Sequence, residues 1–159
     1  MPERITHNDT KLNNVMIDDA TGRGICVIDL DTVMPGLVMY DFGDAVRLGA
    51  STAAEDERDL SKVRMDLAMF DRLACGYLDA ARGFLTPQEI DRLAFSAMLI
   101  TFEIGVRFLA DHLAGDVYFK VHREGHNLDR CRTQFKMVAD MEAQADRMAA
   151  VIDRYRTGA

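Results

Sequence analysis

Thr6-His7-Asn8-Asp9-Thr10-Lys11-Leu12-Asn13-Asn14 and, after a turn, Val27-Ile28-Asp29-Leu30-Asp31-Thr32-Val33 decide how this chain reads. In the first stretch a histidine, an aspartate two residues on and an asparagine five further place a carboxylate and an amide oxygen on one tight loop. Asp9 suits the task of orienting a hydroxyl and accepting its proton. Asn14 offers a neutral oxygen to a hard divalent cation such as magnesium. Asp29 ends the next apolar strand, fifteen residues past Asn14, and supplies the second oxygen ligand.

That spacing is the one found in kinase-type catalytic loops. His7 is expected to hold the loop backbone rather than to move protons. Lys11 either brings its ammonium toward a transferred phosphate or is a solvated surface lysine, and the residues leave both open. Asp41-Phe42-Gly43 spells the tripeptide that binds magnesium in protein kinases, but a whole turn region too late. Asp41 is therefore expected at a helix start, where it can brace the catalytic loop.

Away from these stretches the chain reads as one α+β domain of 159 residues, mostly helical, with a small β-hairpin carrying the catalytic and metal residues. Val15–Ile17 and Ile25–Ile28 are short β-branched runs. The Asp18-Asp19-Ala20-Thr21-Gly22-Arg23-Gly24 segment between them has the composition of a hairpin closure. From Asp41 the hydrophobic period lengthens to that of helices. Helices are expected over Phe42–Leu48, about Val63–Arg82, from Pro87 to about Leu113, and from a cap at Asn127 through Tyr155. Thr86-Pro87-Gln88-Glu89 forms a capping box for the third, which should be the buried centre of the domain. Thr52-Ala53-Ala54-Glu55 is either a second capping box or an acidic loop.

The remaining polar groups divide the same way. Glu103 and Arg107 are one helical turn apart, either an intrahelical pair or, for Arg107 in particular, a charge facing a pocket. His122 and His126 are four apart without a third ligand. A net charge of −7 argues against nucleic-acid and anionic-membrane partners. Cys26, Cys75 and Cys131, odd in number and far apart, fit a reduced, cytoplasmic protein. The apolar run Leu93–Phe102 is too short to span a bilayer.

With Tyr40-Asp41-Phe42-Gly43-Asp44 added, these motifs closely resemble the aminoglycoside phosphotransferase-like kinases. The N-acetylhexosamine 1-kinase group within them is the nearest match, and Asn127–Gln134 is similar to that group's last helix. The resemblance implies ATP and magnesium as cofactors, Asp9 as catalytic base, and Asn14 and Asp29 as metal and nucleotide ligands. It implies Lys11 and Arg107 on sugar or phosphate, Tyr118 in a sugar pocket, and phosphorylation of the anomeric hydroxyl of an N-acetylhexosamine. Such kinases carry an ATP-cradling lobe before the loop, whereas here only Met1–Thr6 precede it. The chain is thus expected to be a C-terminal catalytic lobe that is inactive in isolation and self-associates through the face left bare. Alternatives are an aminoglycoside- or choline-type kinase, a non-catalytic lobe remnant, and a haloacid-dehalogenase-type phosphatase using Asp29 and Asp31.

Overall fold

A computed structural model describes residues 1–157. Two antiparallel strand pairs, rather than one hairpin, open the chain. Strand β1 (Arg4–Thr6) pairs with β4 (Met34–Gly36), and β2 (Val15–Ile17) pairs with β3 (Gly24–Val27) in the register Val15↔Val27. The β2–β3 turn closes as its composition suggests. Asp18 Oδ1 accepts from the Thr21 amide and hydroxyl, and Gly22 takes the left-handed φ of 67° that the tight return demands. Asp9, Lys11, Asn14 and Asp29, the residues expected to be catalytic and metal-binding, lie on the loops flanking these strands, which corrects the expectation that a hairpin carries them.

Five helices follow: α1 (Val38–Gly49), α2 (Leu67–Ala81), α3 (Pro87–Leu113), α4 (His126–Ala143) and α5 (Ala145–Arg156). Helix α1 starts four residues before its expected start, because Val38 and Met39 are buried and extend the apolar face. Residues 52–55 form a loop. The Thr52 hydroxyl bridges the far side of that loop, accepting from the Arg64 amide at 3.0 Å and donating to the Lys62 carbonyl at 2.6 Å. Helix α2 begins at the cap supplied by Asp66, whose Oδ1 accepts from the Ala68 and Met69 amides.

The capping box of α3 forms in full. Thr86 Oγ1 accepts from the Glu89 amide, while Glu89 Oε2 accepts from the Thr86 amide at 2.7 Å. Glycines bring α3 against its neighbours. A Cβ on Gly43 would fall 2.6 Å from Ser96 O and from Ile100 Cγ1, and one on Gly105 would fall 2.8 Å from the Phe135 ring. With α1 on one side and α4 on another, α3 still leaves Phe95, Leu99, Phe102 and Val106 in contact with solvent. Its expected burial on nearly every side is therefore only partial. By length and composition α3 as a whole is apolar enough to cross a bilayer, which Leu93–Phe102 alone is not. It serves here as the central helix, with Leu93, Ala97 and Phe108 packed inside.

The last helix divides where its apolar stripe gives no warning. Gln144 takes a non-helical φ of −112°, and its side-chain amide donates to Met65 O and Asp140 Oδ2, both at 3.0 Å. The corner is thus tied to the loop before α2. The cap of α4 is Gly125, at φ 69°, and not Asn127. Around α3 the core collects Phe42, Phe70, Leu78, Met141 and Met148. The Phe42 ring packs edge-on to Phe70 and tilted on Tyr77.

This architecture removes the basis of the phosphatase alternative. A dehalogenase-type nucleophile needs a parallel sheet behind it, and among the described residues both strand pairs are antiparallel.

Candidate active site

The loop between β1 and β2 is shaped from below by α1. The Asp41 carboxylate accepts from the His7 amide at 2.9 Å and the Asn8 amide at 2.7 Å, and its backbone carbonyl accepts from the Thr10 hydroxyl at 2.6 Å. Asn8 can therefore adopt a left-handed φ of 63°, further held by its side-chain amide on Thr32 O. The His7 ring donates through Nε2 to the Ile28 carbonyl, 3.2 Å away, and the Thr32 hydroxyl donates to His7 O at 2.6 Å. His7 and Asp41 thus act on backbone, as expected of scaffold residues. The three residues of the Asp41-Phe42-Gly43 tripeptide do structural work: a brace, a core ring with 1% of its surface exposed, and a close helix contact.

On this frame Asp9 projects into a cleft. Its Oδ2 accepts from Lys11 Nζ at 2.6 Å and from Asn14 Nδ2 at 2.9 Å. Partial burial pushes the Asp9 carboxyl up, but these two hydrogen bonds outweigh it and hold the group below its ordinary pKa. Lys11 is correspondingly raised, chiefly by its hydrogen bond to Asp9. Asp29 lies 3.8 Å from the same ammonium, so Lys11 bridges the two carboxylates.

Asn14 and Asp29 are neighbours across the strand pair, since the Ile28 amide donates to Asn14 O at 2.9 Å. The Asn14 amide nitrogen is spent on Asp9 Oδ2 and on Asp9 O, which leaves Oδ1 as its free acceptor. One carboxylate, one amide oxygen and open space for water and phosphate oxygens fit magnesium, which keeps most of its hydration shell and takes few protein ligands. Asp29 itself sits at φ 61°, a left-handed conformation. It is only half covered, so the metal side of the site is open.

The cleft below Asp9 has a volume of about 840 Å³ and runs between α1, the loop before α2, α3 and α4. Arg107 lines it, as it lines two smaller adjoining hollows. Among the described residues no carboxylate lies within ion-pair distance of Arg107. The intrahelical pair with Glu103 is therefore not made. The guanidinium lies instead over the rings of Phe119 at 5.6 Å and Tyr118 at 5.8 Å. Tyr118 is 72% exposed and borders only a neighbouring hollow, while Phe119 faces the cleft.

Sequence reasoning missed five charged cleft residues, Asp44, Arg47, Glu55, Lys120 and Arg130. Arg47 is bound by Asp44 at 2.9 Å and Glu55 at 2.6 Å, and Arg130 stacks on Phe108. Burial pushes the Asp44 carboxyl up despite Arg47. The only signal was polar residues inside an otherwise apolar helical pattern, at Asp44 and Arg47. His122 and His126 form no metal pair: His126 Nε2 meets Asp56 at 3.0 Å, and Nδ1 accepts from the His122 amide.

A carboxylate held ionised by a lysine, beside oxygen donors for a hard cation and above a substrate-sized cleft, is equipped for phosphoryl transfer to a hydroxyl. Residues 1–78, which run from β1 into α2 and include Asp9, Asn14, Asp29 and Asp41, match the APH model described as the phosphotransferase enzyme family. The match supports the aminoglycoside phosphotransferase-like kinases as the family this chain resembles and phosphotransfer as its chemistry.

Proposed function

We propose that this chain is the catalytic lobe of an ATP- and magnesium-dependent small-molecule kinase whose acceptor is a sugar hydroxyl. The observation that carries this is the Asp9 carboxylate, fixed by Lys11 and Asn14 at the mouth of the cleft. Asn14 Oδ1 and the Asp29 carboxylate would hold the metal, which when bound neutralises charge on the phosphates. Asp9 orients the acceptor hydroxyl and takes its proton as the oxygen bonds to the γ-phosphorus and the bond to the β-phosphate oxygen breaks. Its low pKa makes it a weak base. That suffices when the transition state is loose and the proton leaves late, because positioning then dominates. Lys11 lies where it can offset charge on the moving phosphoryl group.

The resemblance of the motifs to N-acetylhexosamine 1-kinases makes the anomeric hydroxyl of N-acetylglucosamine or N-acetylgalactosamine the first acceptor to try.

Calorimetry with magnesium-ADP tests the site directly. Heat of binding that disappears in Asp29→Asn and without magnesium is expected, and binding indifferent to both would remove the proposal. Assaying γ-phosphate transfer to the two N-acetylhexosamines tests the acceptor, and transfer to neither would remove it.

A further inference from the structure

The charges of the cleft do not cancel, although the chain as a whole is acidic. Five cationic side chains line it against three acidic ones. Lys11 is taken by Asp9, and Arg47 by Asp44 and Glu55. Arg130 reaches Glu55 only at 3.7 Å, and its buried Nε has no hydrogen-bond partner among the described residues. Arg107 and Lys120 remain, with no carboxylate within ion-pair distance among the described residues.

Both side chains are exposed, and it is their starting points that the structure fixes. Arg107 is sandwiched against Phe119 and Tyr118. Lys120 follows directly on a backbone clamp in which the Asp111 carboxylate accepts from the amides of Val117, Tyr118 and Phe119 at 2.8–3.0 Å. The side chain of Asn127, wholly buried, donates to that same carboxylate at 2.8 Å. Asn14 and Asp29, the metal side of the site, do not line this cleft, whereas Arg107 and Lys120 do. The uncompensated charge therefore belongs to the acceptor side of Asp9 and not to the nucleotide phosphates.

We propose that the acceptor carries an anionic group, a carboxylate or a phosphate, in addition to its reactive hydroxyl, and that Arg107 and Lys120 seat that group while Phe119 packs against the body of the molecule. This rests on the kinase reading of the site but departs from the neutral N-acetylhexosamines suggested by the motifs, since it favours sugar acids and sugar phosphates over neutral sugars. Polycationic acceptors are disfavoured, because the three carboxylates of the cleft are already paired with Lys11 and Arg47 while two cations are not.

The test is binding of glucose, glucosamine, glucuronate and glucose 6-phosphate to the chain without nucleotide, followed by ligand-observed NMR. Glucuronate and glucose 6-phosphate are expected to bind at least about tenfold tighter than glucose, the scale of one charge-assisted hydrogen bond, with glucosamine weakest. Whichever of the two anions binds better identifies the group. Arg107→Ala should reduce the anion preference about tenfold, on the same scale, and Arg107→Lys should retain part of it. Arg92→Ala, on the exposed face of α3 outside the cleft, should leave it unchanged. Glucosamine binding as tightly as glucuronate, a preference that survives Arg107→Ala combined with Lys120→Ala, or no binding of any of the four would overturn the proposal. A preserved preference with magnesium-ADP binding indifferent to Asp29→Asn would remove the kinase reading and leave an anion seat of another purpose.

Discussion

The first 37 residues and the helical body are built on opposite physical terms. In β2 and β3 every residue is exposed, including Ile17, Ile25 and Val27. In the body, Val46, Phe70, Leu78 and Leu93 are fully enclosed. Yet Asp9, Asn14 and Asp29, the groups proposed for catalysis and metal binding, belong to the first region, where of the three only Asn14 is buried. That region takes its shape from hydrogen bonds to the body: Asp41 on the loop amides, and Arg4, whose guanidinium donates to Glu89 at 2.8 and 2.9 Å. Burial stabilises one region and polar tethers position the other, so stability and site geometry should be separable by mutation.

The largest expected effect is in the body. Leu93→Ala should cost about 2–5 kcal/mol through lost burial and a cavity, whereas Val27→Ala, half exposed, should stay within about 0.5 kcal/mol. Urea unfolding of both variants measures the gap, and equal losses would break the contrast. Asp41→Ala comes next. Leaving the His7 and Asn8 amides without their acceptor should cost about 1–3 kcal/mol. Hydrogen exchange should show those two amides losing protection while the core of α3 keeps it, and magnesium-ADP binding should fall.

The Arg4–Glu89 tether gives a pH signature. Chiefly through its hydrogen bond with Arg4, Glu89 is held at about 2, below its ordinary 4.5. Its contribution is complete above 4.5 and is lost as pH falls toward 2. In Glu89→Gln the slope of stability over that acid window should flatten, as thermal melts across pH would report. The smallest effect is local. Lys11→Met removes the hydrogen bond that lowers Asp9, so the Asp9 carboxyl, followed by carbon NMR, should titrate at higher pH with global stability little changed.

Motif spacing placed Asp9, Asn14 and Asp29 before any coordinates, because a short loop and a two-strand return leave little freedom over where such residues lie. The cap at Thr86 and the span of α3 were legible for a similar reason: their signals are local. What escaped was contact between distant segments. Asn127 looked like a cap because cap residues share its chemistry, but it is buried under Asp111 and Asp116. The break at Gln144 was invisible because apolar periodicity runs straight through it, and only its bonds to Met65 and Asp140 turn the chain. Tyr118 and Phe119 could not be told apart until the Asp111 clamp set the direction of their loop.

Local order along the chain thus determined the helices with strong end signals and which polar groups share the loop at residues 7–14. Only the tertiary structure decided that Asp41 braces that loop, that Arg47 is neutralised by residues on two elements, and that Arg107 and Lys120 are not. Hydrogen bonds within a few residues are written in composition and spacing. The pairing of charges across a cleft depends on which helix faces meet, and sequence order does not contain that information.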